Sequence, residues 1–396
     1  MPPPPPRTAL ILSAGGVRGA YQVGVIAGII DVLGPRPDDA PLFDTFTGAS
    51  IGSLNATYLA ANADRGDHGI DGLIEIWTKL VLEETLRFAP LGLWGWPRIR
   101  MPRDHDPMGW SRYVGRSLVD PRPVERLLER VIPWDRLHAN IHARTVRALM
   151  LPALDICDGA TTVFTELAAG VPFRPYPYLA TRSLFTAINA EHVLAATALP
   201  FVFPARKIDG RYYMDGAIRF ETPIIPALRA GARRAVAISL LHETSGHRDL
   251  VFPGVLFLAG QLLSGALLDP LRHDINTLER NNRIVEVLAE TLDPPMNAEV
   301  VANLESEVPP GRDIPTLVFR PSEDMELITA EFLRHKFGRC RPLRRALLRW
   351  LATYETGHAL LASFLLFDGR LAARLIELGR RDAHAAEEQI LALFSD

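Results

Sequence analysis

Cysteine is nearly missing: the 396 residues hold only Cys157 and Cys340, far apart in the chain. Neither a disulfide framework nor a zinc-ligand spacing can be built from two such residues. An excess of charge is missing too. Lys plus Arg is 43 against 46 for Asp plus Glu, a formal net of -3, which removes the electrostatic footprint of a nucleic-acid binder. The third absence is a long uninterrupted apolar run. The longest, Val251–Leu268, has Gln261 and Ser264 as its only clearly polar members, but Pro253, Gly254, Gly260 and Gly265 interrupt it. It falls short of the roughly 20 residues that span a bilayer, and its glycines and proline weaken a helix. It predicts a buried helix of a globular domain, with an interfacial or substrate-facing helix as the alternative.

What is present is an ordinary globular composition, 48% hydrophobic and 22% charged. The length suits one large α/β domain with an appendage, or two modest domains. Pro2–Pro6 favour an extended conformer with no packed role, so residues 1–7 read as a disordered leader. Thr8–Ala14 superficially suits the apolar part of a signal peptide. Arg18, inside the glycine-rich stretch that follows, is awkward for export, so a cytoplasmic location is expected.

Strand and helix signals alternate from the start. Ala9–Ser13 reads as a short buried strand ending in a glycine-rich turn, and Ala20–Leu33 as a helix stopped by Gly34-Pro35. Phe43–Thr47 reads as a second strand, with a helix resuming from Ser53 to about Asn62. Two strand-turn-helix units in succession predict a largely parallel sheet with helices on its faces. Further strands are expected at Arg147–Asp155, Thr161–Thr165, Arg234–Leu240 and Pro315–Arg320, and the chain from Asp274 onward is otherwise mostly helical. Arg87–Gly115 breaks the pattern with three of the six tryptophans, four prolines and five arginines, as a binding loop or a cap would.

Three segments carry chemistry. Gly48-Ala49-Ser50-Ile51-Gly52 is a G-x-S-x-G between a strand and a helix, where a tight turn exposes a serine Oγ at the positive end of the helix. The alternative is a small-residue turn with no chemistry. A serine nucleophile needs a base, and the 11 histidines all sit in unremarkable contexts. Asp215-Gly216-Ala217 offers a carboxylate instead. Asp209-Gly210, between two short alternating runs, is a two-residue hairpin signal, while Asp215 follows the second run, at a strand end that could face a cleft. Ala14-Gly15-Gly16-Val17-Arg18-Gly19 can converge backbone N–H groups on an anion, as an oxyanion hole or a phosphate cradle. It also nearly matches a dinucleotide fingerprint, whose acidic partner would be Asp31, Asp38 or Asp39.

Together these segments resemble the patatin-like phospholipase family. Ser13–Ala20 is similar to its glycine-rich G-G-G-x-[RK]-G motif, with Ala14 where the first glycine is usual. Gly48–Gly52 is similar to its elbow, and Asp215-Gly216-Ala217 to its D-G-[GA] motif. Leu194–Pro204 and the Asp209 hairpin resemble what precedes the aspartate in that family. The likeness runs over about residues 8–240 and is weaker beyond.

The resemblance implies a three-layer α/β fold with a mainly parallel central sheet. The catalytic domain would span 8–240, and 241–396 would be a mostly helical region packed on it or extending it. It implies a serine acyl hydrolase with a Ser50–Asp215 dyad, an oxyanion hole at Gly15, Gly16, Val17, Arg18 and Gly19, and elbow glycines Gly48 and Gly52. No metal, cofactor or nucleic acid would be needed. Arg18 would fix the loop or meet a phosphate. The expected substrate is a phospholipid or lysophospholipid. The alternatives are a neutral lipid or small ester, or a non-catalytic lipid- or dinucleotide-binding role. Two stretches mix basic and apolar residues as a peripheral membrane contact does, 94–112 with its indoles and arginines and 331–350 with seven basic residues against one acid. The oligomeric state is not readable.

Overall fold

The computed structural model describes residues 7–35, 37, 41–81, 87–88, 117, 119–173, 180–200, 202–219, 224–242, 314–336 and 358–395, with scattered helical positions between 258 and 287. Nine strands form one sheet: β1 (Thr8–Leu12), β2 (Thr45–Gly48), β3 (Ala148–Asp155), β4 (Thr161–Leu167), β5 (Thr181–Phe185), β6 (Arg206–Ile208), β7 (Arg211–Asp215), β8 (Arg234–Ile238) and β9 (Thr316–Phe319). Their order is β9-β8-β1-β2-β3-β4-β5, with β7 joined to β3 and β6 to β7. β1 runs parallel to β8 and β2, β8 to β9, β2 to β3, and β4 to β5. β3 is antiparallel to β4 and β7.

Alternation of side chains across each strand builds two cores. In β1, Leu10 and Leu12 enter one and Ala9 and Ile11 the other. In β8, Val236 and Ile238 enter the first and Ala235 and Ala237 the second. The first core is covered by α1 (Gly19–Leu33) and α2 (Ile51–Ala61), and the second by α7 (Ile224–Arg229). A strand buried on both faces must be apolar throughout, which is why β1 reads as a run rather than as an alternation. The expected three-layer α/β architecture with a mainly parallel sheet is the observed one. The remaining helices are α3 (Ile70–Thr78), α4 (Arg122–Val131), α5 (Trp134–His142), α6 (Ala190–Ala196), α8 (Met325–Lys336), α9 (His358–Leu365), α10 (Gly369–Ala385) and α11 (Glu387–Phe394).

α1 is covered on its outer side by α10, and the two helices touch through glycine. A Cβ at Gly24 would overlap the Ile376 carbonyl, and one at Gly28 would lie 2.6 Å from the Ala383 Cβ. Among the described residues, Gly16–Leu33 is the one stretch long and apolar enough to cross a membrane, yet 72% of it is buried in the fold. Its apolarity is that of a core helix packed on both sides.

The second strand begins two residues later than the hydrophobic pattern suggests. The amides of Leu42 and Phe43 donate to Nε2 of His68 at 3.0 and 3.2 Å, so they are not available to a strand ladder. The Asp209 hairpin forms as expected: Asp209 (φ 47) and Gly210 (φ 83) are both left-handed, the requirement of a type I′ turn. Leu258, Gly260–Leu262 and Ser264–Gly265 are helical. The rest of Val251–Leu268, and Trp94–Trp110, lie outside the described residues.

Candidate active site

Ser50 follows the end of β2 and opens α2 with φ 50 and ψ -123. That conformation strains a residue with a Cβ by about 1–3 kcal/mol, and the surrounding turn holds it there. The two flanking glycines leave no room for anything larger. A Cβ at Gly48 would overlap the Gly52 carbonyl, and one at Gly52 would sit 2.5 Å from the Leu12 carbonyl oxygen at the end of β1. Hydrogen bonds tie the turn down: Ala49 N–H donates to the Leu12 carbonyl at 3.0 Å, and Ser53 Oγ to the Gly48 carbonyl at 2.6 Å.

Asp215 reaches the same place from the opposite direction. β2 pairs with the first part of β3, up to Thr47 beside Met150, and β7 pairs with the last part, from Asp215 beside Ala153. Because β2 is parallel and β7 antiparallel to β3, the C-terminal ends of both strands point at each other along one edge. Pro152, which has no N–H for a ladder, lies in the gap between them. Gly216 lets the chain turn there, since its Cβ would meet the Pro152 carbonyl at 2.6 Å.

The Asp215 carboxylate is fully buried. Oδ1 accepts from the Ala217 amide at 3.0 Å, and Oδ2 is shut from solvent with no aligned hydrogen bond. Burial pushes its pKa from 3.8 up to about 7, against the opposing pull of the adjacent Ser50 hydroxyl and the Ala217 amide. Serine and carboxylate are thus neighbours, set so that the Ser50 hydroxyl opposes the rise in the Asp215 pKa.

The glycine-rich loop after β1 completes the corner. Gly16–Arg18 makes one 3₁₀ turn before α1. The amides of Gly15 and Gly16 donate to no other group of the described chain, and Gly16 lines the same cavity as Ser50. Ala14 lacks a positive φ and buries its methyl in the core, so a glycine is not required there. Gly16 has φ 59, and a Cβ on it would overlap the Phe364 carbonyl. Arg18 turns away from solvent: Nε and Nη2 donate to Ser363 Oγ at 3.0 and 2.5 Å, and the guanidinium stacks 4.4 Å from the Phe364 ring centre. These contacts tie the loop to α9. Val17 is in the core, and Gly19 abuts Ile51, where a Cβ would come within 2.8 Å.

A cavity of about 110 Å³ opens onto Ser50. α2 contributes Ile51 and Leu54, α3 Ile76 and Trp77, α4 Val124 and Leu127, and the α9 region Phe364 and Phe367. Its one charged lining residue among those described, Arg206, is bonded to Glu125 at 2.5 Å and to Glu191 at 2.7 Å. No histidine among the described residues lines it. His192 instead closes the capping box of α6.

Sequence reasoning missed a buried relay behind the wall. Trp77 Nε1 donates to Asn55 Oδ1 at 3.1 Å, Asn55 Nδ2 to Gln22 Oε1 at 2.9 Å, and Gln22 Nε2 to the Ser13 carbonyl at 2.8 Å. Polar residues at mid-helix in an apolar run were the available signal. It missed the α9 contribution too, for which nothing local speaks. Asp31, one of the acidic candidates of the dinucleotide alternative, is ion-paired with Arg380 and lies 3.5 Å from His384 Nε2, while Asp38 and Asp39 lie outside the described residues. Within 331–350, Phe332 and Leu333 of α8 are buried, and 337–350 is not described.

A family model described as patatin-like phospholipase matches residues 10–228. Among solved structures, the crystal structure of VipD from Legionella pneumophila is similar at 12% sequence identity and a TM-score of 0.32, over 91% of this chain and 67% of that one. No curated protein matches.

Proposed function

The chain belongs to the patatin-like phospholipase family, and from that premise we propose that it is a serine hydrolase of lipid carboxylic esters, with Ser50 as nucleophile and Asp215 as base. The observation that carries this reading is the buried, unaligned Oδ2 of Asp215 beside a strained serine at the mouth of an apolar cavity. In the first half-reaction Ser50 Oγ attacks the ester carbonyl carbon while Asp215 takes its proton. The amides of Gly15 and Gly16 receive the developing oxyanion. The tetrahedral intermediate collapses, the alcohol leaves with the proton from Asp215, and the acyl group stays on Ser50. Asp215 then takes a proton from water, whose oxygen attacks the acyl carbon and releases the acid. No step calls for a metal or a cofactor.

The apolar cavity supports an acyl chain as the buried part of the substrate. Phospholipid or lysophospholipid is the proposed class. The second reading, a neutral lipid or small ester, draws on the lining itself, since Arg206 is already paired and leaves no spare cation for a headgroup among the described residues that line the cavity. Access to aggregated lipid is assigned in the same proposal to 94–112 and 331–350, as a peripheral contact that weakens with salt.

The test is hydrolysis of p-nitrophenyl esters, triacylglycerol, lysophospholipid and diacyl phospholipid vesicles by wild type, Ser50→Ala and Asp215→Asn, with fluorophosphonate labelling of Ser50. Each folded variant is expected to lose about 10³-fold or more in rate. Full activity in Ser50→Ala, or silence of wild type on every ester without labelling, overturns the proposal. The base must be unprotonated, so kcat/KM should rise with pH through about 7 and level off above it. Stability runs the other way. A folded pKa of about 7 against 3.8 means that this group's contribution falls as pH rises between those values, and Asp215→Asn should remove that fall.

A further inference from the structure

The sheet has a second end, and its chemistry is not used by the reaction. Arg7 precedes β1, Asp44 precedes β2 and Arg147 precedes β3, so all three sit where parallel strands begin, whereas Ser50 follows the end of β2. The length of β2 separates the two ends by about 13 Å. Arg147 is placed by its own backbone, since its amide donates to the Asp44 carbonyl at 2.6 Å and its carbonyl accepts from Ala168 at 2.9 Å. Its guanidinium is not satisfied. Nε and Nη2 are both shut from solvent and donate no hydrogen bond, and Nε is 3.9 Å from Asp44 Oδ2. A buried donor without a partner is rare and costs more when it is charged.

Two further arginines lie near it. Arg7 and Arg144 are close enough that their charges, after burial, help to lower the Arg147 pKa, with only Asp44 opposing them. The side chains of Arg7 and Arg144 make no hydrogen bond among the described residues. Arg144 also occupies a place that chemistry disfavours. It follows the end of α5 with φ 66, the left-handed position that a glycine ordinarily fills. A long cation is held there against local strain. Arg234, also near Asp44, is already bound to Thr8 Oγ1 and the Leu393 carbonyl. Among the described residues, Arg7, Arg144 and Arg147 face one carboxylate here, an excess of two positive charges, and guanidinium forks match phosphate oxygens in pairs.

We propose that Arg7, Arg144 and Arg147 form a second binding site, at the end of the sheet opposite Ser50, for a dianionic phosphate group. The phosphate is free in solution or is the exposed phosphomonoester of a lipid headgroup, and the chemistry of recognition is the same.

Two probes separate the sources. The full chain is titrated calorimetrically with inorganic phosphate at a pH of about 8, where it is dianionic, with ionic strength held constant by chloride. In parallel, it is floated with phosphatidylcholine vesicles, with and without phosphatidic acid. Saturable phosphate binding that Arg144→Gln and Arg147→Gln each weaken by roughly tenfold or more supports the site with the free anion as ligand. Flotation that needs phosphatidic acid and is lost in Arg144→Gln supports it with the headgroup as ligand. Ser50→Ala is the control for phosphate in the ester cavity and is expected to leave both signals unchanged. Binding to neither probe, binding that both arginine variants keep, or binding lost in Ser50→Ala overturns the proposal. Arg144 is exposed, so a folding failure of Arg147→Gln does not leave the question open.

Discussion

The turns after β1 and β2 stand side by side at one end of the sheet, both rich in glycine, and they use it for opposite ends. After β1 the proposed function makes the backbone the working surface, and glycine takes the left-handed conformation, at Gly16. After β2 the proposed function makes a side chain the working surface, the left-handed conformation falls on Ser50, and Gly48 and Gly52 serve only as space. The lesson is that a glycine-rich motif states nothing about which residue carries strain. That depends on whether a backbone amide or a side-chain oxygen must face the substrate.

Substitution can break the contrast at either turn. The largest effect is expected at Gly48→Ala, whose methyl meets fixed backbone at Gly52. A loss of about 3 kcal/mol or more, read as a lowered urea midpoint, is expected, and a wild-type midpoint would show that the elbow can relax. Gly16→Ala comes next. The methyl meets the Phe364 backbone carbonyl in a left-handed conformation, so stability should fall as well, and in the folded protein kcat should drop by about 10²-fold with the misplaced oxyanion donors. Unchanged kcat in a folded Gly16→Ala would move the oxyanion hole elsewhere. The smallest effect is the most diagnostic: Ser50→Gly removes the strained Cβ and should raise stability by about 1 kcal/mol while abolishing hydrolysis. A destabilised Ser50→Gly would mean that the elbow is not strained.

The same contrast explains what was legible in the sequence. The elbow, the glycine loop and the Asp215 turn are each local, because a backbone conformation dictates residue types within five or six positions. The Asp209 hairpin and the β1 and β8 strands were readable for the same reason. The start of β2 was not, because the amides at Leu42 and Phe43 are claimed by His68 from a later turn. Nor was the end-to-end meeting of β2 and β7, which exists only once β3 lies beside both. The part of Arg18 needed Ser363, 345 residues away. One distant contact did leave a trace, since Gly24 and Gly28, four apart on α1, mark the face where α10 comes close.

The brace formed by Ser363 and Phe364 on the Gly16–Arg18 loop has a consequence for the timing of biosynthesis. A ribosome adding about 5–20 residues per second needs roughly 20–70 s to pass from Arg18 to Ser363. Throughout that interval the loop lacks this brace, although the strand, the elbow and Ser50 have long since emerged. On the function proposed above, the glycine loop receives this brace only after Ser50 and its elbow have been made, once α9 has followed.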